Sequence, residues 1–248
     1  MSCADCFSGV IHEGEPEGKI EQVAGVECYV ATPSGEYPKD KALLFLTDVF
    51  GIPLVNNKLL ADGFARNGFK VVMPDIMAGE PLADSAMNDP NFDRVAWRAK
   101  HGPETWDHVV DKVVAALKET GVTRIATTGY CFGAPPAFYL AYKNETHVTI
   151  VSHPSMLQIP ADLEKYRDVS KAPLLINSCE VDQQFPKESQ AVTDDVLGGG
   201  KFAPGYERTY WDGCTHGFAV RGDLSNPKVK AGKEGAFKAS VEFLKKYL

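Results

Sequence analysis

Five apolar residues in a row, ALLFL at 42–46, run straight into the polar and glycine-containing segment TDVFG. A run this short and this uniformly apolar reads as a strand covered on both faces, and such strands belong to parallel sheets flanked by helices. The surrounding pattern agrees. Positions 54–67 carry Leu59, Leu60 and Phe64 at helical offsets, Gly68 closes the segment, and FKVVMPD follows as another strand. Val109, Val110, Val113, Val114 and Leu117 mark one side of a helix leading to RIATTGY. VECYVATP, HVTIVSHP, APLLINSCEVD and YERTYWDG are further strand candidates. Helices are expected over 132–142 and 187–197, with a closing amphipathic helix in GAFKASVEFLKKYL. Alternation of this kind predicts one α/β domain over residues 1–248, a doubly wound and mostly parallel sheet with helices on both faces. Residues 79–103 show no sustained period and read as an excursion over the sheet that carries binding residues.

Composition narrows the partners. A chain of 248 residues, 44% of them hydrophobic, can bury one sizeable core. The net charge of -7 and the lack of a Lys/Arg cluster argue against nucleic acid. No stretch has the roughly 18 uninterrupted apolar residues of a membrane span, and the start lacks the pattern of a secretory signal, so a cytoplasmic protein is expected. In that compartment the six cysteines stay free thiols. No phosphate-cradling glycine loop or metal-ligand cluster stands out, so neither cofactor nor metal is expected. A small-molecule partner is expected, taken up by a monomer or homodimer.

In an open α/β sheet ligands bind beyond the carboxyl ends of the strands. Three reactive residues fall there in order: Cys131 after RIATTGY, Asp182 after LLINSCEV, and His216 after YERTYWDGCT. The string G-Y-C-F-G puts Gly129 and Gly133 two residues either side of Cys131, the spacing of a strained strand-to-helix elbow that exposes a nucleophile. His216 is suited to be its base, and Asp182 to fix the imidazole tautomer. The backbone N–H of Phe132 is one oxyanion donor, and Val49, in the loop after ALLFLT, the second. Each residue alone has a plainer reading: Cys131 a small buried hydrophobe, Asp182 a helix cap, His216 a turn residue. Their joint order favours the chemical one. Cys3 and Cys6 form a C-x-x-C pair without a partner pair or a histidine at zinc-finger spacing, which argues against a metal or redox role. Cys179 and Cys214 read as packing residues, and His153 as a core or turn residue near a strand end.

These segments, GYCFGA (129–134), TDVFGIP (47–53), VVMPD, EVD (180–182) and CTHGFAVRGD (214–223), resemble the dienelactone hydrolase family of α/β-hydrolases, in particular its fungal cytosolic members. The resemblance covers most of the chain after about residue 25. It implies that Cys131, Asp182 and His216 are the triad, and that the reaction is hydrolysis of an enol lactone through a thioester. The family sets a glutamate beside the thiol in an E-x-F-G context; here Asp48 stands in D-V-F-G as the thiol-modulating carboxylate. The family also clamps the substrate carboxylate with arginines, which the resemblance assigns to Arg221 and to Arg94 or Arg98. Two alternatives remain: a broader carboxylesterase or thioesterase with the same triad, and a non-catalytic thiol redox sensor on a hydrolase fold.

Overall fold

The structure is a computed structural model that describes residues 5–248. Its frame is one eight-stranded sheet: β1 (Lys19–Val23), β2 (Val26–Ala31), β3 (Lys41–Leu46), β4 (Val71–Pro74), β5 (Arg124–Tyr130), β6 (Val148–Ser152), β7 (Leu174–Val181) and β8 (Tyr206–Thr215). The spatial order is β1-β2-β4-β3-β5-β6-β7-β8, antiparallel from β1 through β4 and parallel from β4 to β8. Leu43, Leu44, Phe45 and Leu46 of β3 have no solvent exposure, as a central strand covered on both faces requires.

The helices are α1 (Val55–Arg66), α2 (Arg94–Lys100), α3 (Pro103–Glu119), α4 (Ala134–Tyr142), α5 (Ala161–Val169), α6 (Lys187–Leu197), α7 (Phe218–Arg221) and α8 (Pro227–Tyr247). From β3 the chain crosses through α1 to β4 on one side, then returns through α3 to β5 on the other, and steps onward through β6, β7 and β8. Right-handed crossovers running in opposite directions put their helices on opposite faces. Accordingly α1 meets α8, with Phe64 and Phe237 ring centroids 4.8 Å apart, while α3, α4 and α5 form the other layer, joined by Tyr139–Asp111 and Phe138–Tyr166 contacts. The reversal lies between β3 and β5, which makes the gap between their carboxyl ends the ligand crevice.

Several elements differ from the sequence reading. β1 was hidden because four of its five residues face solvent and show no apolar pattern. α5, with mean polarity to match its exposed face, lacks a periodic signal, and α8 begins at Pro227 rather than with GAFKAS. The excursion at 79–103 contains a 3-10 turn at Asp84–Ala86 and the helix α2, capped by the Asp93 side chain on the Ala96 amide at 2.9 Å.

The elbow explains its own glycines. Cys131 has φ 50°, in the left-handed region that costs a non-glycine residue about 1–3 kcal/mol unless its surroundings hold it. That bend turns the chain back so sharply that a Cβ on Gly129 would strike the carbonyl of Gly133, and one on Gly133 the carbonyls of Leu46 and Thr47 at the end of β3. Both positions must therefore be glycine for β5, α4 and β3 to meet. Gly133→Ala is expected to destabilise the protein by about 1–3 kcal/mol through overpacking. Gly35→Ala, with open space around it, should stay within about 0.5 kcal/mol in the same urea titration.

Candidate active site

The three loops that follow β5, β7 and β8 converge. Cys131 opens a 3-10 turn, Cys131–Gly133, that leads into α4; its carbonyl accepts from the Ser155 amide at 3.2 Å. Asp182 follows β7, and its Oδ1 accepts the amides of Gln184 at 2.8 Å and Phe185 at 3.1 Å. The His216 amide donates to the Val181 carbonyl at 3.0 Å, which fastens the histidine loop to the end of β7 beside Asp182. His216 Nδ1 then lies 2.9 Å from both carboxylate oxygens of Asp182. A carboxylate straddling Nδ1 requires the proton on that nitrogen and leaves Nε2 turned towards Cys131.

Cys131 and His216 interact by charge and hydrogen bond, and Ser155 Oγ lies 3.7 Å from Cys131 Sγ. Burial by itself would push the Cys131 thiol up. It is outweighed by a hydrogen bond from Cys6, the charge and hydrogen bond of His216 and the Ser155 hydroxyl, which together hold the thiol well below its ordinary range. For His216 burial works downward, and the opposing charge of Cys131, followed by that of Asp182, lifts the imidazole well above its ordinary value. Both directions favour the thiolate and imidazolium form of the pair.

Cys6 is the residue that the sequence reading set aside and the fold brings in. It belongs to the 3-10 turn Asp5–Phe7, it is fully buried, and its Sγ lies 3.5 Å from His216 Nε2. Its sequence signal, half of a C-x-x-C pair, gives no hint of a partner 210 residues away. Cys3 lies outside the described residues. His153 is also nearer the site than expected: its ring stands 5.0 Å from that of His216, it is fully buried, and neither ring nitrogen has a hydrogen-bond partner among the described residues. Burial, then the charge of His216, holds His153 well below its ordinary value, so it is neutral. Cys179 and Cys214 are buried packing residues, the former 4.0 Å from Asp182 Oδ2.

Asp48 and Arg221 take positions different from those anticipated. They form an ion pair with each other, and both side chains are wholly buried. Asp48 Oδ1 accepts from Asn57 Nδ2 at 3.0 Å and the Phe50 amide at 3.3 Å. Arg221 donates Nε to the Ser8 carbonyl at 3.0 Å and Nη2 to the Cys6 carbonyl at 3.1 Å, and its guanidinium lies over the Phe50 ring at 5.1 Å. An arginine so engaged holds its own chain together and has no free edge for a substrate carboxylate. The thiol's immediate neighbour is Cys6, and the shorter Asp48 side chain is turned to Arg221.

Arg94 and Arg98 lie one turn apart on α2 and line a surface cavity of about 680 Å³ together with Phe7, Met156 and Gln184. The Arg94 guanidinium sits 5.6 Å above the Phe7 ring, and its Nε has no hydrogen-bond partner among the described residues. Phe7 walls this cavity while the adjacent Cys6 touches His216, so the Asp5–Phe7 turn stands between the cavity and the fully buried Cys131. No described helix is long and apolar enough to cross a membrane.

The sheet order, the elbow at the end of β5 and the acid and histidine after β7 and β8 define an α/β-hydrolase. Residues 26–248 match the family model described as the dienelactone hydrolase family, and the chain belongs to that family of carboxylic ester hydrolases. Among its relatives, "Hydrolase pyvD" of Aspergillus violaceofuscus is 33% identical, the match covering 98% of this chain and 96% of that protein. "Dienlactone hydrolase 1" of Gibberella moniliformis is 30% identical, over 96% of this chain and 91% of that protein. The crystal structure of a putative dienelactone hydrolase from Klebsiella pneumoniae superposes with a TM-score of 0.72 over 97% of both chains at 14% identity, a likeness of fold.

Removing one partner of a buried ion pair leaves the other charged and unpaired, which costs about 3–5 kcal/mol. Asp48→Asn is therefore expected to lower stability by that amount. Asp48→Leu combined with Arg221→Leu should recover part of the loss, measured by denaturant unfolding of the single and double variants.

Proposed function

We propose that the protein is a cysteine-dependent hydrolase of enol lactones or similarly activated esters, working through a thioester on Cys131. The observation that carries this reading is the imidazole of His216, held by Asp182 on one nitrogen and facing the elbow thiol with the other. Cys131 thiolate attacks the acyl carbonyl. The amides of Phe132 and Val49 receive the developing oxyanion, an assignment supported by the packing of Gly133 against the end of β3, which brings the two loops side by side. Collapse expels an enolate, a leaving group good enough to depart from a thiolate adduct, and the imidazolium supplies its proton.

Acylation also prepares the second half-reaction. The thioester carries no charge, so the largest influence raising His216 disappears and the imidazole, having given up its proton, stays neutral and able to activate water. The same site with a wider pocket would serve a general carboxylesterase or thioesterase; what favours an acidic lactone is the pair Arg94 and Arg98 on the cavity wall. Because the Asp5–Phe7 turn covers Cys131, the substrate reaches the thiol by displacing that turn.

Intact-mass spectrometry tests the reading. After brief mixing with an activated aryl ester or a dienelactone, the wild type should carry one acyl group and Cys131→Ala none, with turnover lost in the variant. Undiminished turnover by Cys131→Ala would remove Cys131 from the chemistry. The faster substrate ranks lactonase against general esterase.

The pH dependence has a defined sign. A thiol held below its ordinary range loses its thiolate only when pH falls through that low value, and a raised imidazole loses its proton only when pH rises through the high one. Single-turnover acylation should thus be flat through neutrality, with its acid limb well below the free-cysteine value of about 8.5. Ser155→Ala, which removes one of the contacts that lower the thiol, should move that limb upward.

A further inference from the structure

Three soft donors meet at one buried point. Cys6 Sγ, Cys131 Sγ and a His216 ring nitrogen all lie within 4.8 Å of one another, and all three residues are buried. We propose that these residues form a binding site for a soft divalent cation of the zinc type, and that a bound ion latches the Asp5–Phe7 turn over the nucleophile.

One edge of the cluster matches a tetrahedral ion, and the other two lie within 4.8 Å. Zinc bonds of about 2.3 Å to thiolate and about 2.0–2.1 Å to imidazole set the sulfur and nitrogen of two ligands roughly 3.5 Å apart, and two thiolates roughly 3.8 Å apart. The Cys6 to His216 separation is 3.5 Å, already the edge of such a tetrahedron. The outer contacts fit as well. A metal-binding histidine commonly gives its second ring N–H to a carboxylate, and His216 Nδ1 does so to Asp182, itself held by the Gln184 and Phe185 amides. Two thiolates neutralise a dication, so loading leaves the net charge of the buried centre, Asp182 included, unchanged. Sulfur and nitrogen donors select zinc-type ions over magnesium or calcium. Three protein ligands leave one coordination position for water or a solute.

Binding exchanges protons for metal. The ion takes the place of the Cys6 thiol proton and of the proton held between Cys131 and His216, and both leave to solvent. Cys6 comes from the covering turn and Cys131 from the elbow, so one ion fastens cover to nucleophile. The binding site stands on the three donors alone, whereas inhibition of hydrolysis by the metal rests on Cys131 being the nucleophile.

Cobalt(II) is the probe, added to the reduced, chelator-stripped full-length protein. The expected result is saturation at one equivalent, with a near-ultraviolet thiolate-to-cobalt band and the visible bands of tetrahedral cobalt, both abolished by zinc. Cys6→Ala should halve the charge-transfer intensity and weaken binding at least ~10-fold, in the range that loss of a metal-site contact produces. Cys179→Ala and Cys214→Ala should leave the spectrum unchanged. Calorimetry in buffers of different ionisation enthalpy should report about two protons released. No charge-transfer band from the wild type at one equivalent would overturn the site, as would a spectrum unaltered by Cys6→Ala. Zinc should also inhibit hydrolysis reversibly, with the inhibiting concentration raised at least ~10-fold in Cys6→Ala relative to that variant's own zinc-free rate. A two-thiolate cobalt spectrum together with undiminished hydrolysis by Cys131→Ala would uphold the site and reject the nucleophile instead.

Discussion

A guanidinium shut away from water must find every partner inside the protein, and Arg221 finds them in two distant segments at once. It pairs with Asp48 at the start of the loop after β3, and it donates to the Cys6 and Ser8 carbonyls of the N-terminal segment. Asp48 in turn takes the Asn57 side chain of α1. Burial makes each of these contacts obligatory, because an unpaired charge there costs several kcal/mol. The result is that the loop bearing Val49, the turn bearing Cys6 and the helix α7 following His216 are tied to a single buried charge. The site inherits its shape from that pair.

The covering of the thiol follows from the same tie. With Cys6 held by its carbonyl, its side chain falls against His216, and Phe7 closes the wall of the neighbouring cavity. Enclosure excludes water, which strengthens the attraction between thiolate and imidazolium beyond its value in solution. Within the Asp5–Phe7 turn, Arg221 holds the Cys6 carbonyl and the Asn88 amide donates to the Phe7 carbonyl at 2.9 Å.

What could be read from the chain was whatever local chemistry compels. The uniformly apolar β3 had to be a covered strand, and Gly129 and Gly133 had to flank a bend so tight that a Cβ at either would strike backbone. The order of Cys131, Asp182 and His216 followed from the rule that ligands sit beyond strand ends, and the structure brings the three together. β1 and α5 escaped notice because they are largely exposed and so carry little apolar periodicity. The resemblance assigns Arg221 to a substrate carboxylate, and nothing in its sequence neighbours reveals the ion pair that it makes with Asp48, 173 positions earlier.

The sequence by itself determined the strand-helix alternation, the elbow and the three residues that follow successive strand ends, because each depends on side-chain pattern or backbone sterics within a few positions. Only the tertiary structure decided that Cys6 stands on His216, that Arg221 is bound to Asp48, and that Arg94 and Arg98 face the open cavity. These depend on where distant segments are carried by the sheet. Pairings over such separations are selected by burial and charge compensation in the finished fold, which leave no trace in the spacing of residues along the chain.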